Sequence, residues 1–168
     1  MKNIFKIVLF LSIVFAATAC SNDDEPKIVE QPLEVTYANV AGTWQLTNWN
    51  GKPLIDGLYC YIELNRKEQT FVIYDNMNSM FAHKLTGSFT LAKDENDESI
   101  DIISGAYDYD GGSWSNSYQL QVFAQRMTWT VQTDHTDVSV YERCPAIPDN
   151  VLNGVSRTYK MSEIKKFL

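Results

Sequence analysis

The chain has 168 residues, 45% hydrophobic and 12% aromatic, with a formal net charge of −7, a size that one compact domain fills. Fourteen hydrophobic residues and two lysines fall in the first nineteen positions, so the rest is only about 41% hydrophobic and carries a charge of −9. No basic excess is left to neutralise phosphates, which argues against a nucleic-acid partner, and all four Trp and nine Tyr lie in this acidic remainder, which argues against disorder.

At the N-terminus, Lys2 and Lys6 accompany an apolar run from Ile7 to Ala17 that only Ser12 interrupts. This is the pattern of a secretory signal, and it is too short to span a bilayer comfortably. Ala17, Thr18 and Ala19 then lead into Cys20, and the segment resembles the lipobox of bacterial lipoproteins. The resemblance implies a signal peptide over residues 1–19 and a lipidated Cys20 as the mature N-terminus. Ala17 stands where that family most often has Leu, and ordinary cleavage that leaves Cys20 as a free thiol is the alternative. Ser21-Asn22-Asp23-Asp24-Glu25 is similar to the export tags that take lipoproteins of some Gram-negative phyla to the outer face of the outer membrane. The other reading is a solvated linker that avoids inner-membrane retention. Pro26 to Pro32 reads as a tether, so residues 20–39 are expected to be a lipidated cysteine and a flexible acidic arm. The membrane is the implied partner, through acyl chains that each contribute roughly 0.8 kcal/mol per buried methylene.

From Gly42 to Cys144 apolar residues alternate with period two, which predicts short strands. Gly42 to Asn50 sets Trp44 and Leu46 on one face and Trp49 on the other, and Asn50-Gly51 offers a turn. Further strands are expected over Leu58 to Leu64, Thr70 to Tyr74, Gly87 to Ala92, Ile100 to Ser104, Tyr118 to Ala124, Met127 to Thr133 and Asp137 to Arg143. Met80 to Leu85 is expected to be another strand or an irregular crossing. Gly105 to Ser117 reads as a long loop, or as a strand end that opens into one. Eight to nine antiparallel strands joined by short turns predict an all-β, up-and-down barrel over residues 40–144, or a sandwich, since closure removes exposed edges. Residues 145–168 are expected to pack on it as an extension, with Ser162 to Leu168 forming a short helix capped by Ser162.

Gly42-Thr43-Trp44 at the first strand is similar to the Gly-x-Trp signature that opens the barrel in lipocalins and related calycins. The resemblance implies a lipocalin-like barrel whose closed end Trp44 plugs, with an Arg near the end of the last strand lying over the ring. Arg143 matches by position, and Arg126 is the second candidate. Thr133-Asp134-His135 lies where the larger lipocalins have a Thr-Asp-Tyr type turn, with His for Tyr. The chain is shorter than those proteins, so either a cavity or a filled core is compatible with it.

Cys60 and Cys144 lie in an early and the last strand of a chain expected outside the cytoplasm, so they are a candidate disulfide, with two buried reduced thiols as the alternative. Tyr107, Tyr109 and Trp114 on a Gly-rich segment could stack on a sugar, cover a barrel mouth or extend the core. Tyr59, Tyr61 and Tyr74 line either an internal cavity or the outer face under the C-terminal tail. His83 and His135 lie far apart in exposed-looking segments, without zinc-type spacing. Asp108 with Asp110, and Asp94 to Glu98, read as solvated loop charges and not as a glycosidase pair. Asp108 to Ser113 lacks the spaced acids of a calcium loop. The expectation is therefore a monomeric, non-enzymatic protein without metal or cofactor. It binds a small apolar or amphipathic molecule or, with a filled barrel, serves as a surface module for a glycan or protein.

Overall fold

The computed structural model describes residues 30–78, 82–108, 111–154 and 168. Among these, the elements are α1 (Tyr37–Val40), β1 (Gly42–Trp49), β2 (Lys52–Pro53), β3 (Cys60–Asn65), β4 (Thr70–Asp75), β5 (His83–Lys93), β6 (Asp101–Tyr107), β7 (Tyr118–Val122), β8 (Arg126–Val131), β9 (Asp134–Cys144) and α2 (Asp149–Gly154). β1 and β3 to β9 pair antiparallel in chain order. β9 returns to β1, from Thr43 opposite Cys144 to Trp49 opposite Ser139, and so closes an eight-stranded up-and-down barrel. β2 adds only a two-pair ladder to the end of β1. Asn50 and Gly51 join them with φ of 52° and 76°, the two positive values that a type I′ hairpin turn requires.

Alternation decides what fills the barrel. Trp44 and Leu46 of β1, Cys60, Ile62 and Leu64 of β3, and Phe71, Ile73 and Asp75 of β4 are all buried at every second position. Phe71, Trp114, Trp129 and Tyr141 form a continuous run of rings across the interior, with successive centroids 5.2, 5.5 and 5.1 Å apart, within the range of favourable aromatic contacts.

Two sequence expectations change. The two segments expected around Met80 to Leu85 and Gly87 to Ala92 are one strand, β5, through which Gly87 passes without a break. Gly87 is no boundary: a Cβ there would overlap the Ala106 carbonyl oxygen and the Phe71 ring, so it marks close backbone approach within a strand. The segment from Gly105 follows the second of its two readings, a strand end that opens into a loop: Gly105 to Tyr107 complete β6, and residues 112–114 fold back beside it with Trp114 N–H donating to the Gly105 carbonyl at 2.8 Å. The arm expected to be flexible to residue 39 is held to the barrel from Leu33: its N–H donates to the Val122 carbonyl at 2.7 Å, and Val35 and Tyr37 rest on the core. Within the C-terminal extension a helix forms at Asp149–Gly154. The helix expected over Ser162 to Leu168 lies outside the described residues except for Leu168.

Candidate functional site

The two ends of the barrel differ, and the difference locates the site. At the end where β1 begins, α1 lies across the opening. Thr36 caps it, its hydroxyl accepting from the Asn39 amide at 3.2 Å. Trp44 is fully buried and its indole N–H donates to the Val40 carbonyl at 2.8 Å. Arg143 covers the ring with its guanidinium carbon 4.0 Å from the centroid. Its three nitrogens donate to the carbonyls of Ala124 (3.1 Å), Ala41 (2.8 Å) and Asn39 (3.0 Å). One side chain thus satisfies carbonyls that a short helix leaves open and adds a cation–π contact. Gly42 has φ of 122°, and a Cβ would stand 2.6 Å from an Arg143 nitrogen, so both the backbone and the guanidinium require glycine there. Arg126 is placed elsewhere, over Phe123 at 4.7 Å.

The opposite end is shaped by the β1–β2 hairpin and the chain after β4. Trp49, Lys52, Pro53, Leu54, Ile55, Leu58 and Met77 line a predominantly apolar groove of about 230 Å³. Trp49 and Ile55 are 39% and 76% exposed, while Leu54 and Met77 also pack against the barrel core, so the groove floor is continuous with the interior. Just inside, β3, β4 and β5 set Cys60 opposite Asp75 and Asp75 opposite His83. All three are buried. Asp75 Oδ1 accepts from the Met77 amide at 3.1 Å, whereas Oδ2 has no partner. A buried acceptor left in that state costs about 1–3 kcal/mol. Burial pushes the Asp75 carboxyl above its ordinary range, with the Met77 hydrogen bond and the neighbouring His83 pulling the other way. The Cys60 thiol is driven well up, first by burial and then by Asp75.

The remaining sequence candidates separate by face. Tyr107 and Trp114 are not an exposed sugar platform: both are buried in the core. Trp114 lies over Gly105, where a Cβ would come within 2.5 Å of the indole, and its own N–H has no partner. The Tyr107 hydroxyl donates to the Leu168 carbonyl at 3.0 Å, and Leu168 is itself buried in the core. Burial raises the Tyr107 and Tyr118 hydroxyls, Tyr118 to about 12. Tyr109 and Asp110 lie outside the described residues, as do Cys20 and the signal segment. Tyr59, Tyr61 and Tyr74 are on the outer wall with Cys144, under Ile147 and Val151 of the C-terminal segment. Cys60 and Cys144 are free. Cys60 points into the barrel while Cys144 joins the outer cluster, so the sheet itself stands between the thiols and no bridge forms. His135 is exposed beside Gln119 at 3.3 Å, but His83 is buried, contrary to the exposed segment expected for it. Among the described residues no three His, Cys, Asp or Glu side chains are placed to hold a metal ion.

A second cleft, of about 370 Å³, lies at the β5–β6 tip between Lys93, Asp94, Asn96, Ser117 and Gln132. Its lining is polar and carries no aromatic ring. Asp94 and Gln132 already bond each other at 2.5 Å.

No protein-family model matches the chain, and no curated protein matches it significantly. The closed eight-stranded antiparallel barrel is itself consistent with a lipocalin-like fold.

Proposed function

We propose that this protein is a lipid-anchored, non-enzymatic lipocalin-like barrel of the cell envelope that binds a small amphipathic molecule at the end opposite α1. The observation that carries the reading is the groove of Trp49, Leu54, Ile55, Leu58 and Met77, exposed on one side and continuous with the core on the other. Its volume of about 230 Å³ is below the roughly 300 Å³ of a typical ligand pocket, which suits a single apolar chain better than a fused-ring system. The aromatic run through the interior supports a ligand held at the mouth in preference to one sunk to the barrel floor. A non-catalytic role is supported by Cys60, whose thiol burial holds in the protonated form, the opposite of what a nucleophile needs.

Anchoring at Cys20, signal cleavage after Ala19 and display on the outer membrane belong to the same proposal and rest on the sequence of residues 1–25. A monomer that binds the membrane through its acyl chains and no nucleic acid completes it. The rival reading, a filled barrel that holds a glycan or protein on its loops, draws on the polar cleft at the β5–β6 tip. It stands second because that cleft offers no ring on which a sugar could stack.

Titration of the Cys20→Ser chain with a neutral apolar fluorophore such as N-phenyl-1-naphthylamine tests the main reading. Saturable, single-site binding that Ile55→Lys weakens is expected, and the absence of saturable binding overturns it. Incorporation of a labelled fatty acid that disappears in Cys20→Ala is expected in the native host; incorporation that survives the substitution overturns the anchor.

A further inference from the structure

Asp75 Oδ2 is a buried carboxylate oxygen with no donor. Its neighbours do not supply one. Cys60, opposite on β3, offers only a weak S–H donor, and His83, opposite on β5, leaves this oxygen unpaired. The groove and this carboxyl share one residue. Met77 lines the groove with its side chain, touches the barrel core, and holds Asp75 Oδ1 with its amide. An unbranched thioether side chain re-forms around a neighbour at small cost, so Met77 can swing aside while its amide keeps the carboxyl oriented.

We infer that Asp75 Oδ2 is the head-group acceptor of the groove site, and that the ligand class is an amphiphile with one apolar chain and an ammonium head. The inference rests on the reading that the end opposite α1 binds a small amphiphile, and it specifies which one. The tail lies along Trp49, Leu54, Ile55 and Leu58, and the head passes Met77 to donate to Asp75. An ammonium supplies both the missing hydrogen bond and the countercharge, which makes the bond charge-assisted. A hydroxyl head supplies only the bond, and a carboxylate head brings a like charge.

Isothermal titration of the full chain carrying Cys20→Ser, with decylamine, 1-decanol and decanoate below their micellar concentrations, tests this. Decylamine is expected to bind at least tenfold more tightly than decanoate, with decanol between them. Asp75→Asn is expected to remove at least tenfold of the decylamine affinity and to leave decanol binding within about twofold, tenfold being the factor that about 1.4 kcal/mol supplies. An amine preference that survives Asp75→Asn, or decanoate binding as well as decylamine, overturns the inference. The acidic surface also attracts cations, but that attraction is screened at about 0.5 M salt while a buried pair is not. A wild-type preference that collapses in salt therefore also overturns it, and this arm does not depend on the variant folding. If all three probes bind alike, the head-group inference fails and the amphiphile site stands; if none binds, both fail.

Discussion

The two ends of this barrel are built on opposite principles. At the α1 end a large buried ring, a guanidinium and three backbone carbonyls satisfy one another, with Trp44 N–H bonded to Val40 and Arg143 bonded to Asn39, Ala41 and Ala124. At the other end Asp75 Oδ2 is buried without a partner, and Trp49 and Ile55 are turned to solvent. Unsatisfied polar groups and exposed apolar ones are both unfavourable to a folded chain, so the place where Asp75 lies beside the groove is one where stability has been given up. The contrast separates a structural end from the end proposed to bind a ligand.

The largest effect is expected from Trp44→Ala. Removing the fully buried ring at the structural end costs about 3–5 kcal/mol, read as a lower urea midpoint at unchanged slope. Arg143→Ala follows at about 2 kcal/mol, because it strands carbonyls of Asn39 and Ala41 as well as uncovering the ring. A loss below about 0.5 kcal/mol in either variant would remove the distinction between the ends. Gly105→Ala lies between them in position and effect: a Cβ against the Trp114 indole costs about 1–3 kcal/mol through overpacking, seen as a lower Tm and altered near-ultraviolet aromatic signals.

Asp75→Asn reverses the sign at the groove end, with stability unchanged or raised by about 1 kcal/mol at neutral pH. The pH dependence follows from the raised folded-state pKa. The folded chain holds this proton more tightly than the unfolded chain, whose carboxyl titrates near 3.8. Asp75 therefore favours the fold most below 3.8, and that contribution is lost as pH rises from there through the raised value. The wild-type stability relative to Asp75→Asn should fall across that window and then level off. A difference that grows with pH would show the carboxylate to be stabilised by the fold. The smallest expected change is in Ile55→Ser, within about 0.5 kcal/mol in stability because the side chain is mostly exposed, yet with weaker binding of the apolar fluorophore. Equal binding would place the ligand elsewhere.

Much of the structural end was legible in the sequence, and little of the groove end. Gly42, Trp44 and Arg143 could be placed because strand alternation and a short signature both refer to local position. Asp75 and His83 could not, since each looks like a polar residue at a strand boundary until the pairing of β4 with β5 puts them side by side. The alternation His83, Leu85, Gly87, Phe89 was present, but glycine at the third position read as a boundary when it was serving the approach of Phe71 and Ala106. Tyr107 and Trp114 lay in a segment rich in turn residues, and only the vacancy over Gly105 explains why the second of them turns inward. The α1 cap was missed because Pro- and acid-rich flanks outweighed the apolar Leu33, Val35, Tyr37 and Val40 within them.

The two thiols sit on either side of one wall, Cys60 inside and Cys144 beneath Ile147 and Val151. They behave as two clocks with different escapements. Alkylation at Cys144 keeps time with the lifting of a short surface segment, while Cys60 reacts only when the cylinder itself comes apart. A single labelling experiment on the unaltered chain therefore registers both the shallowest and the deepest opening of the fold.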